Sequence, residues 1–265
     1  MPFIVALQRW WQQTILWFSV ALLVALVTVP IGLFVWLLFS TNIFTVQAIT
    51  VVDARPHTTE AVKTLLGGLR GDSIFLVLPE ALEQRIMTAL PQVRTVHITR
   101  KLPGTIKIVV QEKTPTLLLL TGGDYYFVDQ EGVAYEEARL ENLPGVVLPV
   151  VKNTDTPVST VTLGAPVVEQ SFVGFVHDIQ KKLPEKLGFR VAEIRIPSLS
   201  AREVSFTLDN NWLIRFDVAR PAEHQLAVLA RVLDDTMSDQ ERDNLEYVDL
   251  RIQNRVYYKA SALIP

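Results

Sequence analysis

The chain has 265 residues, with 25 Lys and Arg against 28 Asp and Glu, a formal net charge of −3 and no cysteine. That balance carries no basic footprint for a nucleic-acid partner, and the missing thiols exclude disulfides and thiolate metal sites. No internal repeat or low-complexity tract appears, so stability must come from ordinary burial.

From Gln12 to Val52 there is no charged residue, and Thr14 to Phe39 is almost wholly aliphatic and aromatic. About 20 apolar residues cross the hydrocarbon core of a bilayer, so this run predicts a spanning helix. Pro30 and Gly32 are tolerated there because their freed backbone groups are satisfied locally. Trp10, Trp11 and Trp36 are placed as interfacial anchors. A cleaved secretory signal would be shorter and end in small residues, unlike Leu37-Leu38-Phe39-Ser40-Thr41. Arg9 in a short N-terminal tail favours the N-terminus inside and the body outside.

Phe44, Val46, Ile49 and Val51 predict a β-rich stretch broken by the run from Arg55 to Glu60. Thr58 or Thr59 then caps a helix that continues through Ala61 to the Gly67-Gly68 region. Pro79 suits the first turn of a second helix, with Leu82, Ile86 and Leu90 at helical spacing. Val93 to Arg100 and Thr105 to Glu112 alternate apolar and polar residues around Leu102-Pro103-Gly104, which predicts a hairpin. The order β-α-α-β-β describes a compact α+β module.

Beyond Leu117, Tyr125 to Val128 and Val133 to Tyr135 flank an Asp129-Gln130-Glu131-Gly132 turn. Pro166 to Leu183 reads as an amphipathic helix through Val168, Phe172, Phe175, Ile179 and Leu183. Short strands follow at Val191 to Ile196, Val204 to Leu208 and Trp212 to Phe216, then a helix from Ala222 to Leu233. Tyr247 to Leu250 and Val256 to Lys259 close the chain as strands. The fold expected is a mainly antiparallel sheet with two helices and the final strand at its edge.

Catalytic signatures are missing. No Ser is followed three residues later by Lys, no G-x-S-x-G occurs, and His57, His97, His177 and His224 are scattered outside any H-E-x-x-H pair. Arg70-Gly71-Asp72 reads as a chance adhesion tripeptide, and Gly67-Gly68 lacks the Lys-Ser/Thr of a phosphate loop.

The run from Leu90 to Pro115, the Val128-Asp129-Gln130-Glu131-Gly132 turn and Tyr247-Val248-Asp249-Leu250-Arg251 stand in order behind a single apolar helix. In this the sequence resembles the FtsQ/DivIB family of bacterial cell-division proteins. The resemblance implies a cytoplasmic tail (1–13), a transmembrane helix (14–39), a POTRA domain (44–115) and a β domain (116–265). It implies a non-enzymatic scaffold without cofactor, in the cell (inner) membrane at the septum, with its body outside the cytoplasm. FtsB/DivIC-type and FtsL-type partners would be bound at the last strands, which here are Arg251, Asn254, Arg255, Val256, Tyr257, Tyr258 and Lys259. Ile252 and Arg255 stand where the family often has Tyr and Gly, and relatives can carry a longer tail than one ending at Pro265. Asp249 is assigned a structural role and Arg251 a contact. Tyr257 and Tyr258 are equal candidates for an aromatic anchor, and Arg100 and Lys101 read as a solvated turn. Thr45 to Val52 is the membrane-proximal strand that the family would use for recruitment. A POTRA scaffold for envelope-protein export is the alternative, but such proteins usually carry POTRA repeats before a barrel, and no barrel-like set of alternating strands is present.

Overall fold

The computed structural model describes residues 2–40, 42–139 and 147–261. Two compact units divide the chain, residues 1–111 and 112–265.

In the first unit, helix α1 (Pro2–Ser40) is continuous, so the segment expected as a separate tail is helical too. Arg9, Trp10 and Trp11 lie outside the residues whose side chains are described. Trp17–Leu37 is apolar and unburied within the protein, and its 21 residues span about 32 Å at 1.5 Å per residue, enough for the hydrocarbon core. The Thr28 hydroxyl donates to the Val24 carbonyl at 2.9 Å, a local way of satisfying a polar group beside Pro30.

The rest of the unit comprises β1 (Ala48–Val52), α2 (Pro56–Leu66), α3 (Pro79–Ala89), β2 (Val93–Lys101) and β3 (Thr105–Glu112). The sheet order is β1-β3-β2, with β1 parallel to β3. Ile106, Ile108 and Val110 are fully buried against Val62, Leu66 and Ile86, so the strand alternation and the helical spacing meet in one core. The expected cap at Thr58 or Thr59 is not used. Helix α2 starts earlier, at Pro56, whose fixed φ suits the first helical position, and Thr58 is buried instead.

The second unit is a nine-stranded sheet with helices on one face. Its strands are β4 (Leu117–Thr121), β5 (Asp124–Val128), β6 (Ala134–Glu137), β7 (Val150–Asn153), β8 (Val191–Ile196), β9 (Glu203–Leu208), β10 (Leu213–Asp217), β11 (Leu245–Asp249) and β12 (Tyr257–Ala260). The order is β12-β11-β10-β9-β8-β7-β4-β5-β6. Most pairs are antiparallel, but β4 with β7, β7 with β8 and β10 with β11 are parallel. Helices α4 (Gln170–Leu187) and α5 (Ala222–Arg231) are the crossovers that parallel neighbours require. They bury Phe172, Phe175, Ile179, Leu183, Leu226 and Leu229 against Val204, Phe206, Ile214, Phe216 and Val248.

Helix α4 begins four residues later than its sequence pattern suggests. Pro166 is bridged to Val133 in extended conformation, so Val168 is buried from the approach to the helix rather than from the helix. Helix α5 stops at Arg231 and passes into a wider turn over Val232–Thr236. A short α6 (Asp239–Asp243), capped reciprocally by Ser238 and Glu241, leads into β11. Strands β4 and β7 and helix α6 are elements that the sequence reading does not include.

Candidate partner-binding edge

Strand β12 ends the sheet, with β11 as its one neighbour among the described residues. The pairing is antiparallel: Tyr247 faces Lys259, Val248 faces Tyr258 and Asp249 faces Tyr257. On the other side, the Leu250 amide donates to the Arg215 carbonyl on β10. Backbone groups alternate along a strand, so Tyr247 and Asp249 turn theirs toward β12. Ser261 donates to the Asn244 carbonyl, which independently sets the same phase. Tyr257 and Lys259 therefore spend their backbone groups on β11, while those of Tyr258 and Ala260 point out of the sheet.

Side chains divide by the same period of two. Val256 and Tyr258 are half-buried and pack on the main core, whereas Tyr257 is 47% exposed on the opposite face. Cross-strand register then aligns Lys152, Arg195, Ser205, Arg215, Asp249 and Tyr257 from β7 to β12 on that open face.

Arg251 closes the strip. Its guanidinium donates to both Asp249 carboxylate oxygens, at 2.6 Å from Nη2 to Oδ2, and pairs with Glu203 of β9. The hydrogen bond to Asp249 leads the causes that raise its pKa, so the cation is permanent. Burial pushes the Asp249 carboxyl up, but the hydrogen bonds and charge of Arg251, with Arg215 behind, outweigh it and hold it below the ordinary range. Arg215 also stacks its guanidinium 5.4 Å from the Tyr247 ring centre. At the end of the edge, Lys259 pairs with Glu246 at 2.6 Å, and that contact raises the amine and lowers the acid.

The connection from β11 to β12 is built by buried polar groups. Gln225 is buried and donates to the carbonyls of Asp217 and Arg220, at 2.8 and 3.1 Å, while accepting from the Asp217 amide. Arg220 in turn donates to the Leu250 carbonyl. Asn254 adopts a left-handed φ of 61°, a conformation Asn tolerates, and Asn254 and Arg255 are exposed at the tip. A cavity of about 440 Å³, reached by His224, Val228, Ile252 and Val256, opens on the helix side of this turn.

The structure thus brings Tyr257 and Lys259 to the open face, Tyr258 and Val256 to the core face, and Arg251 into an ion cluster. Glu203, Glu246, Gln225 and Ala260 are parts of the edge that sequence reasoning missed. The Asp-x-Arg spacing was the one available signal, since residues two apart share a strand face. Among the described residues no three His, Cys, Asp or Glu side chains gather as a metal-binding set.

Comparison with known proteins bears on both units. The family described as POTRA domain, FtsQ-type, matches residues 44–113, and that described as Cell division protein FtsQ/DivIB, C-terminal, matches residues 118–251. The chain belongs to the FtsQ/DivIB family. Among FtsQ relatives, the Cell division protein FtsQ of Streptomyces collinus is 30% identical over 125 residues, 47% of each chain. That of Streptomyces coelicolor is 33% identical over 116 residues, 44% of each chain. That of Chloroflexus aggregans is 25% identical over 222 residues, 84% of this chain and 76% of the relative. The matched segment spans about half the length of the Streptomyces FtsQ relatives. The C-terminal FtsQ/DivIB match stops at Arg251, before β12.

Proposed function

We propose that this chain is a non-enzymatic scaffold of the bacterial division machinery. It bridges early and late septal proteins and captures FtsB/DivIC-type and FtsL-type single-pass partners by strand addition. Residues 1–13 form the cytoplasmic tail, residues 14–39 the membrane span, and the POTRA (44–115) and β (116–265) domains lie outside the cytoplasm. The observation that supports this reading most is the open edge of β12, where the outward N–H and C=O groups of Tyr258 and Ala260 lack a neighbouring strand among the described residues. An added strand completes such groups and gains affinity from main-chain bonds, with side-chain pockets setting specificity. Tyr257 supplies an exposed aromatic anchor beside that edge, and Arg251 acts through Asp249 and Glu203 to hold the face on which the partner's side chains settle. The family name points to division-complex partners in general, and membership of the division apparatus is what the relatives' names describe.

The backbone phase selects the test. Proline at Ala260 deletes an outward N–H at little cost to the core, whereas proline at Tyr257 breaks the protein's own ladder. The full chain carrying Ala260→Pro should fold and lose co-purification of the FtsB-type partner. Undiminished capture by the folded variant overturns strand addition at β12. In dividing cells an N-terminal fluorescent fusion should gather at midcell, and a uniform envelope signal counts against the septal assignment.

A further inference from the structure

Helix α1 ends at Ser40, and Phe44 follows after four residues, at most ~14 Å of chain. Residues 42–44 coil in a 3₁₀ turn, which shortens that reach. The next residues are stitched by main-chain bonds to two loops. The Ile74 amide donates to the Phe44 carbonyl, and the Val46 amide to the Asp72 carbonyl, both at 2.8 Å. The Gln47 and Ala48 amides donate to the Gly104 carbonyl at 2.8 and 3.2 Å. A Cβ at Gly104 would stand 2.4 Å from the Thr45 carbonyl oxygen, so this close approach requires glycine. Arg100 donates to the Phe75 carbonyl at 3.2 Å and ties the two loops together. Both loops are therefore held at the end of the module where the chain leaves the bilayer.

Their surface is not that of an ordinary solvated loop. Leu76 is 72% exposed, Leu78 68%, Leu102 61% and Ile43 55%. Arg70, Arg100 and Lys101 are exposed among them, against Asp72 as the one acidic residue in segments 42–48, 70–78 and 100–104. The chain as a whole is net negative, so this local excess of positive charge is a departure. Exposed Leu and Ile beside Lys and Arg form the composition that settles into the interface of an anionic membrane.

We propose that the loop 73–78 and the hairpin tip 101–104 dock together on the lipid surface. They form a second membrane contact that fixes the orientation of the first module above its anchor. The occupant is the bilayer and not a protein, because the tether confines these side chains beside a headgroup zone only roughly 5–8 Å deep on each side. The apolar helix supplies the span, and residues 42–46 lead along the chain from its end to the patch. This reading requires membrane insertion of α1 and is independent of strand addition at β12.

The chain has no cysteine, so a single probe can be placed without background. Full-length Leu76→Cys, labelled with a solvent-sensitive dye, is reconstituted in phosphatidylcholine vesicles with and without phosphatidylglycerol. His57→Cys, at the opposite end of β1 near the start of α2, serves as the reference. The Leu76 probe should shift to the blue and be quenched severalfold more than the His57 probe by lipids spin-labelled near the headgroup. Phosphatidylglycerol should strengthen the effect, and molar salt should weaken it. Adding Arg70→Gln and Lys101→Gln should return quenching to the neutral-lipid level, with an unchanged far-UV spectrum confirming the fold. A Leu76 probe as water-exposed as His57 in both vesicle types overturns the proposal and frees the patch for a protein partner. Quenching insensitive to lipid charge and salt removes the basic residues from it.

Discussion

Arg251 is the residue to whose surroundings the structure adds most. Read alone it is a cation near an edge; in the fold it is shared between Asp249 and Glu203, with Asp249 itself buried. Because the folded-state pKa of Asp249 is depressed, its contribution is present above the ordinary value of about 3.9 and is lost as pH falls through the lower folded value. Acid titration of stability should therefore show a limb below about pH 4 that Asp249→Asn flattens. Two further residues make sharp cases. The Thr58 hydroxyl is buried with no hydrogen-bond partner among the described residues, so Thr58→Val should leave stability unchanged or raise it by about 1 kcal/mol in urea titration. Gly132 has φ +83°, and a Cβ there would lie 2.1 Å from the Val168 carbonyl oxygen. Gly132→Ala should cost about 3 kcal/mol, because backbone on both sides must move. Asp129 defends that turn, accepting from the Glu131 and Val133 amides at 2.9 Å each while Lys113 lies 2.7 Å from its other oxygen.

At the scale of elements, periodicity found most helices and strands, and local chemistry placed their ends less well. The 3.6-residue stripe of α4 is real, but its first apolar member, Val168, belongs to an extended segment paired through Pro166. Tertiary pairing overrode a pattern that has no means of marking where its period begins. Helix α2 shows the reverse case, in which Pro56 started a helix that the threonines were expected to cap. Strand β7 has only four residues and lies between two parallel neighbours, so it has neither the length nor the hairpin spacing by which a strand is read from sequence. The shared layer under α4 and α5 makes a direct test. Ile179 is fully buried there, and Ile179→Ala should lower unfolding free energy by about 2–5 kcal/mol, read by denaturant titration.

On the scale of the whole chain, the two units keep separate cores that share no buried residue among those described. The second core contains the buried faces of α4 and α5 and of most strands, which is ample for an independent domain. A fragment spanning residues 112–265 should unfold cooperatively without the first unit, and non-cooperative melting would show that it needs the missing part. The nine-stranded sheet leaves β12 and β6 at its two ends. At the β6 side a small second cluster of Leu118, Phe127 and Tyr135 is buried on the opposite face, whereas β12 presents Tyr257 and outward backbone groups. That asymmetry is why the C-terminal end is the one proposed for strand addition.

The sequence by itself determined what depends on short-range pattern: a span long and apolar enough for a bilayer, alternating strands, amphipathic helices, and a family resemblance carried by ordered motifs. It also placed the last strand at an edge. Only the tertiary structure decided which backbone groups of β12 face outward, because that phase is set by bonds to Arg215 and Asn244 on other segments. The same holds for Arg251, whose partner Glu203 is 48 residues away, and for the patch of Leu76, Leu78 and Leu102. Loop residues acquire a location only when main-chain bonds to residues 44–48 carry them to the end of the anchor.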